Sequence, residues 1–342
     1  MKVRLLENKD KPAWDAFVRN HDSGTFCHQA GWQDIVTQGG GHEAPYLLAE
    51  QDGDIVGILP LSLQNSLLFG KSLKSTSFAV YGGPLVSETS ALAALDAAAW
   101  GIAAKAGIDA LEYRCEKPLH DDWAVKDELY VTFKKEITGD REANLLSIKG
   151  SQRRYIKKGA KLGLTASVED DLDLFYHLYA VSVRNLGTPV FPKALFAQYL
   201  ETFKDNADIL VARTADGQPT GAILSFYYKD QVLPYYIGST PEARECFGND
   251  FLIFEVLDHA AQRGKRLFDF GRSKVGTGAY AYKKHWGFDP APLYYEYKLH
   301  DGAQMPDMNP LNPKYQLMIK TWKMLPVCLT KLIGPPIARH LG

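Results

Sequence analysis

The stretch "YLLAEQDGDIVGILPL" at residues 46–61 returns in altered form as "LVARTADGQPTGAILSF" at 210–226. Each reads as a strand, an Asp-Gly turn and a second strand. Asp52, Gly53 and Gly57 fall on Asp216, Gly217 and Gly221 without a gap. Downstream, each copy carries a helical pattern closed by a glycine suited to a C-cap, "ALAALDAAAWGIAAKAG" in the first and "NDFLIFEVLDHAAQRG" in the second. A buried strand follows each helix, and "IDALEYRC" and "KRLFDFGR" superpose Glu112 on Asp269 and Tyr113 on Phe270. The shared order of these matches constrains the fold more than any one of them and predicts two copies of one α/β unit. The length of 342 residues agrees, being too great for one typical core. The expected organisation is a first domain over 1–140, a second over 141–305 and a tail over 306–342.

Between the copies lies "LLSIKGSQRRYIKKGAKLGLTASV", in which Lys149, Arg153, Arg154, Lys157, Lys158 and Lys161 follow one another with no acid between them. Helical spacing puts Arg154 and Lys158 on one face and Arg153 and Lys157 on the next. Such a run is either a phosphate clamp or a solvated helix face. The charge is local, since the whole chain has a formal net charge of -1. That balance, with 46% apolar residues, excludes a disordered chain and a globally basic DNA binder. No apolar run approaches the length of a membrane span and the N-terminus lacks a signal peptide's apolar centre, so a cytoplasmic protein is expected. Cys27, Cys115, Cys246 and Cys328 are scattered and read as buried, reduced thiols. The histidines are equally dispersed, and no metal site is expected.

The densest chemistry lies in "FDFGRSKVGTGAYAYKKHWGF" at 268–288. Within it "GTGAYA" fits a dinucleotide fingerprint, but no βαβ unit follows it. "FGKS" at 69–72 resembles the end of a phosphate loop, yet Asn65 stands where a glycine is required. Asp269 should close a buried strand, where a carboxylate is costly unless paired. Its near neighbour Arg272 is one candidate partner, and an amine-binding or basic role is the other reading.

Together with the duplication, five motifs resemble the Fem family of aminoacyl and peptidyl transferases: "FCHQAGWQDIV", "VYGGPLV", "SQRRYIKKGAKLGL", "YYIGS" and "FDFGRS" with "YAYKKHWGF". Within that set, the sequence is most similar to the Fem-like proteins associated with exosortase and PEP-CTERM systems of exopolysaccharide-producing bacteria. The resemblance implies an α/β protein of two tandem GNAT-like domains, the acyl-CoA N-acyltransferase fold, followed by a basic amphipathic tail. It implies attack of an amine on an activated acyl group carried by aminoacyl-tRNA or acyl-CoA, with no permanently bound cofactor. The acceptor implied is an anionic small molecule or a lipid-linked glycan or peptide precursor of the cell envelope. Acyl transfer builds an oxyanion, which a lysine in a water-poor cleft can stabilise. Lys283 matches the family's aromatic-lysine position, with Lys284 as rival, and Asp269 is the second catalytic candidate.

By the same resemblance, Arg154, with Arg153 as alternative, would meet a diphosphate, and Tyr81 and Tyr236 would line the substrate cleft. Arg272, Tyr282 and Lys284 complete the substrate-binding set. Arg244 and Gly248 in "RECFGND" are what stands of a pyrophosphate loop, with one residue too many and one glycine too few. Two departures weaken the link to the cell-wall precursor and to tRNA: Val36 and Thr37 stand where Fem ligases often place a lysine, and no heptad run supplies a coiled-coil insertion. Alternative functions are a non-catalytic binding module for an anionic glycan or lipid-linked precursor, and a plain acetyl-CoA acetyltransferase.

The tail from Leu311 holds Lys314, Lys320, Lys323, Lys331 and Arg339 and no acid, interleaved with apolar residues. It can lie on an anionic membrane at the inner face or dock on its own domain. Pro326, Pro335 and Pro336 should interrupt any continuous helix there.

Overall fold

The computed structural model describes residues 1–66, 69–306 and 313–342, apart from the side chains of 313–315. Contacts divide the chain into two compact units. The first is built on Met1–Leu129 and takes in the strand residues from Pro292 and the C-terminal Arg339–Gly342. The second is built on Tyr130–Ala291 and takes in the tail helices as far as Ala338.

In the first unit, Lys2–Leu5, Leu47–Gln51, Asp54–Leu59 and Leu85–Val86 form an antiparallel sheet in that order. Ser62–Ser66, Gly70–Lys74 and Ala110–Cys115 pair in a second sheet, to which residues 294–299 add a further, antiparallel strand beside Ala110–Cys115. The helix Thr89–Ala106 connects Gly70–Lys74 to Ala110–Cys115, which run parallel with Lys74 opposite Glu112. Ala91, Leu95, Ala99 and Ala103 repeat every four residues and form its buried face, while Gly107 ends it in the left-handed region.

The second unit repeats this crossover. Gln231–Ser239 leads through the helix Gly248–Gln262 to Leu267–Asp269, and these strands pair in parallel only at Gln231 with Leu267 and Val232 with Phe268. Antiparallel neighbours extend the sheet on one side through Pro219–Tyr228, Ala207–Arg213 and Thr165–Val168. On the other, residues 134–136 pair with Leu267–Asp269. Its core holds Phe251, Leu252, Phe254, Leu257, Phe268, Phe270, Trp286 and Phe288.

The duplication reaches individual residues. Gly57 lies opposite Ala49 and Gly221 opposite Ala212, and in both hairpins the register shifts immediately after that alanine. Both glycines are needed for close approach of the crossover helix. A Cβ on Gly57 would come within 3.1 Å of Leu95 and 3.2 Å of Ala91, and one on Gly221 within 3.3 Å of Leu252.

Some expectations need correction. Cys27 and Cys115 are buried, but Cys246 is half-buried and Cys328 exposed, because Cys328 sits on the outer side of a tail helix. Pro326 separates the helices Pro313–Met324 and Val327–Ala338, whereas Pro335 and Pro336 lie inside the second. Each lacks the N–H that would bond the carbonyl four residues earlier, a loss confined to the helix's last turn. Leu311 and the Lys314 side chain fall outside the described residues. Among the described residues no helix is long and apolar enough to cross a membrane.

Candidate functional site

In the second unit, parallel pairing stops at Val232 and Phe268, so the chain beyond Phe268 turns away from its neighbour at the C-terminal end of the strand. Asp269 is fully buried there. Its Oδ1 accepts the Thr132 hydroxyl at 3.0 Å and the Gly271 amide at 2.8 Å, and Lys134 Nζ stands 3.9 Å from Oδ2. Gly271, at φ +70°, then turns the chain into Ser273–Lys274, which pairs with Tyr130 and Val131. Thr277 caps the helix Gly278–His285, its hydroxyl accepting the Tyr280 amide.

That helix returns Lys283 to the turn it came from. Lys283 Nζ donates to the Gly271 carbonyl at 2.8 Å and the Arg272 carbonyl at 3.2 Å, and lies 5.3 Å from the ring centre of Phe270 and 5.7 Å from that of Phe133. Burial among these rings pulls its pKa down to about 7, although Asp269 opposes the shift. Lys284 is exposed, with its ammonium 5.7 Å from the Tyr280 ring and its carbonyl accepting Lys149 Nζ. The two adjacent lysines therefore have different surroundings, one half-buried against the turn and one on the surface. Arg272 is exposed and covers the Tyr130 ring at 4.9 Å.

Beside this turn, at the start of the helix Gly248–Gln262, is a pocket of about 490 Å³ lined by Tyr155, Ala243, Arg244, Phe247, Asn249, Asp250 and Tyr282. It brings Arg244 and Tyr282 together. Arg244 is exposed, and Gly248 is buried, with room for a Cβ only at 3.1 Å from Thr220 Oγ1. Phe247 holds a left-handed φ of 61° and stacks on Tyr155 at 5.3 Å, with Lys158 Nζ 5.1 Å from its ring. Asp250 accepts the Tyr282 hydroxyl at 2.9 Å, and burial raises its pKa above the ordinary carboxylate value. The Phe270 ring meets Tyr282 at 6.4 Å and Lys283 at 5.3 Å, so one aromatic residue joins pocket and lysine.

The basic run forms the helix Gly150–Lys161, with Gln152, Ile156 and Gly159 buried. Arg154 is exposed, and half-buried Arg153 reaches the Leu146 carbonyl at 3.5 Å. Tyr236 is buried in an aromatic cluster with Tyr179, Phe196 and Tyr199, its hydroxyl 3.1 Å from that of Tyr199. Tyr81, in the first unit, is also buried and lines a smaller cavity of about 180 Å³ with His28, Arg114 and Cys115. Sequence reasoning missed Asp250, Tyr155 and Phe247. The first is one acid among several in the sequence, and no local pattern announces that Phe247 takes a glycine-like conformation.

Residues 147–284 match the family model described as an acetyltransferase (GNAT) domain. No curated protein sequence matches the chain. Among solved structures, the chain resembles FemX at 16% identity with a TM-score of 0.67, over 93% of this chain and 100% of that one. It also resembles L-PGS from Bacillus licheniformis at 13% identity and a TM-score of 0.57, over 97% and 98% of the two chains. A tandem GNAT protein from the clavulanic acid biosynthesis pathway is similar at 14% identity and a TM-score of 0.56, over 89% and 99%. Identities this low carry the fold and not the chemistry. The chain thus folds as two tandem GNAT-like domains followed by a basic amphipathic tail.

Proposed function

We propose that this protein is an N-acyltransferase of the Fem-like type, moving an aminoacyl or acyl group from an activated donor to an amine, with the second unit carrying the chemistry. The observation that supports this most is the Lys283 amine, held by two carbonyls with its pKa pulled down to about 7. As an ammonium it has three N–H groups, two of them used by Gly271 and Arg272, which leaves one to donate to an oxyanion. As a free amine it has two N–H groups and a lone pair, which can take a proton. Near neutral pH both forms are populated, which suits general acid–base work. In the reaction proposed, the acceptor nitrogen bonds to the acyl carbon and loses a proton. The ester C–O or thioester C–S bond breaks, and the leaving alcohol or thiol takes up a proton. Asp269 positions the turn that holds Lys283.

The donor is read from the pocket at the head of the helix Gly248–Gln262. An acyl-CoA reading is favoured by the GNAT domain match and by the helix N-terminus, which attracts a diphosphate. The Asp250 carboxylate works against that anion. It favours an aminoacyl donor, whose ammonium it can receive between the Tyr155, Phe247 and Tyr282 rings. We place the acceptor amine on an anionic envelope or exopolysaccharide precursor at the cytoplasmic side, a reading supported by the resemblance and by the basic helix Gly150–Lys161.

Single-turnover transfer from aminoacyl-tRNA and from acetyl-CoA to a panel of amines tests the reaction. A pH–rate inflection near 7 is expected, with Lys283→Met losing roughly 10²- to 10³-fold and the inflection with it. Asp250→Asn should weaken aminoacyl transfer while sparing acetyl transfer. Absence of transfer from either donor, with a nucleotide-linked glycan still bound, would leave the binding-module reading instead.

A further inference from the structure

The two tail helices pack inward by one face and leave the opposite face apolar and uncovered. On Pro313–Met324, Ile319 and Trp322 are the half-buried side. Ile319 rests on Gly187, where a Cβ would come within 2.5 Å of its Cγ2, and Arg184 donates to the Lys323 carbonyl at 3.2 Å. On Val327–Ala338 the buried residues are Thr330, Gly334 and Ala338, spaced by one turn, with Gly334 against Val190. Lys331 Nζ lies 5.1 Å from the Tyr176 ring. Both helices therefore sit on the helix Leu172–Leu186 and the residues after it.

The outer faces follow from helical geometry. Leu317 and Met324 lie two turns apart on one side and are 73% and 83% exposed. Leu332 is 73% exposed and shares its side with Leu329 and Pro336. Leu186, at the end of the supporting helix, adds a further apolar residue at 67%. Exposed large apolar residues scattered singly are ordinary, but outer apolar stripes on two consecutive helices seated on one supporting helix are of the kind that marks an interaction site. Lys320 is exposed beside this patch, whereas Lys323, one turn after Ile319, lies with its stem near Gly187, and no acid occurs from Leu311 to Gly342. Asp173 is engaged by Lys193 and feels the charge of Lys331.

We propose that this surface seats on an anionic lipid bilayer, with Leu317, Met324 and Leu332 entering the headgroup boundary and Lys320 meeting lipid phosphates. The charge of the patch favours lipid over a second copy of the chain, since two such faces would bring lysine against lysine. Neither helix is long enough to span the bilayer, so the protein lies on the membrane rather than in it. The inference does not depend on which acyl group is transferred.

The test is co-sedimentation of the full chain with phosphatidylcholine vesicles, with and without phosphatidylglycerol. Binding is expected only when phosphatidylglycerol is present and should fall as salt is raised. Lys320→Gln should weaken it about fivefold. Leu317→Gln with Met324→Gln should weaken it at least tenfold or so, by removing the inserted surface. Because these side chains face outward, melting temperature and circular dichroism should not change. Equal binding to both vesicle types, or no binding to either, overturns the proposal. So does a concentration-dependent dimer in sedimentation that the Leu317→Gln and Met324→Gln changes abolish.

Discussion

The two units carry the same crossover but treat the carboxylate on the strand after it in opposite ways. In the first, Glu112 accepts Arg114 Nε at 2.8 Å and the Tyr297 hydroxyl at 3.1 Å, with Lys74 opposite it in the sheet. Burial pushes its pKa up, but Arg114 and Lys74 overcome that and hold it below the ordinary value. In the second, the shorter Asp269 is met by a hydroxyl, a backbone amide and a distant Lys134, and the nearby Lys283 is directed to backbone carbonyls instead. A closed ion pair spends its charges on each other. A lysine held by carbonyls keeps one proton site for a substrate, which is the ground for proposing the second copy as the place of the chemistry.

The first unit closes a second set of charges in the same manner. His120 lies between Asp96 and Glu296, 2.9 Å from each, and stacks on Trp123 at 3.9 Å. The amides of Leu119 and His120 donate to Glu296, and the Tyr113 hydroxyl donates to Asp96. Replacing His120 with alanine leaves two carboxylates buried without their cation. The expected loss is about 3 to 5 kcal/mol in urea unfolding of the first unit, with no change in the second. A loss as small as that of a surface ion pair, about 1 kcal/mol or less, would break the contrast drawn between the units.

The same contrast should appear as opposed pH dependence. Burial pulls the His120 pKa down, but its bonds to Asp96 and Glu296 outweigh this and raise it from 6.5 to about 9. Its stabilisation is complete below pH 6.5 and is lost as the pH rises through 9, a change on the order of 2 kcal/mol. Lys283 is shifted the other way, from 10.5 to about 7, so between those values the folded state holds fewer protons than the unfolded one. Its ionised form therefore destabilises the second unit below pH 7, and the penalty is relieved as the pH climbs toward 10.5. Hydrogen exchange, corrected for intrinsic rates, should show protection of 116–124 falling and that of 268–288 rising over this window. His120→Gln should remove the first trend and Lys283→Met the second. Parallel trends in the two segments would contradict the assignment.

What the sequence disclosed follows from what is local. The Asp-Gly turns, the matched Gly57 and Gly221, and the glycine-closed helices are encoded within a few residues each, so the duplication and the fold could be read from them. Lys283 was legible as a position in a motif, but its low pKa depends on Phe133, 150 residues earlier in the chain, and on a carbonyl orientation that Gly271 sets. The His120 cluster joins residues from a helix, a loop and a strand, and none of their neighbours in sequence signals the others. Asp250 was invisible for a related reason. Its partner Tyr282 arrives from a helix that the sequence places 32 residues away.

The smallest effect expected concerns the arginines of the helix Gly150–Lys161. Arg114 and His120 of the first unit are paired with carboxylates, and Arg141 in the second is also engaged, by Glu255 and Asp258. Arg153 and Arg154 make no ion pair among the described residues, so their charge is available to a ligand. Exposure limits what each can contribute, because water and salt screen it. Changing both to alanine should weaken binding of a nucleoside diphosphate sugar by roughly threefold to tenfold. Calorimetric titrations at two salt concentrations should also show a flatter salt dependence in the double variant. Arg141→Ala is the control and should leave affinity unchanged, since its guanidinium is already occupied by carboxylates. If Arg141→Ala weakens binding as much as the double change, the effect is one of stability, and the basic helix is a solvated face.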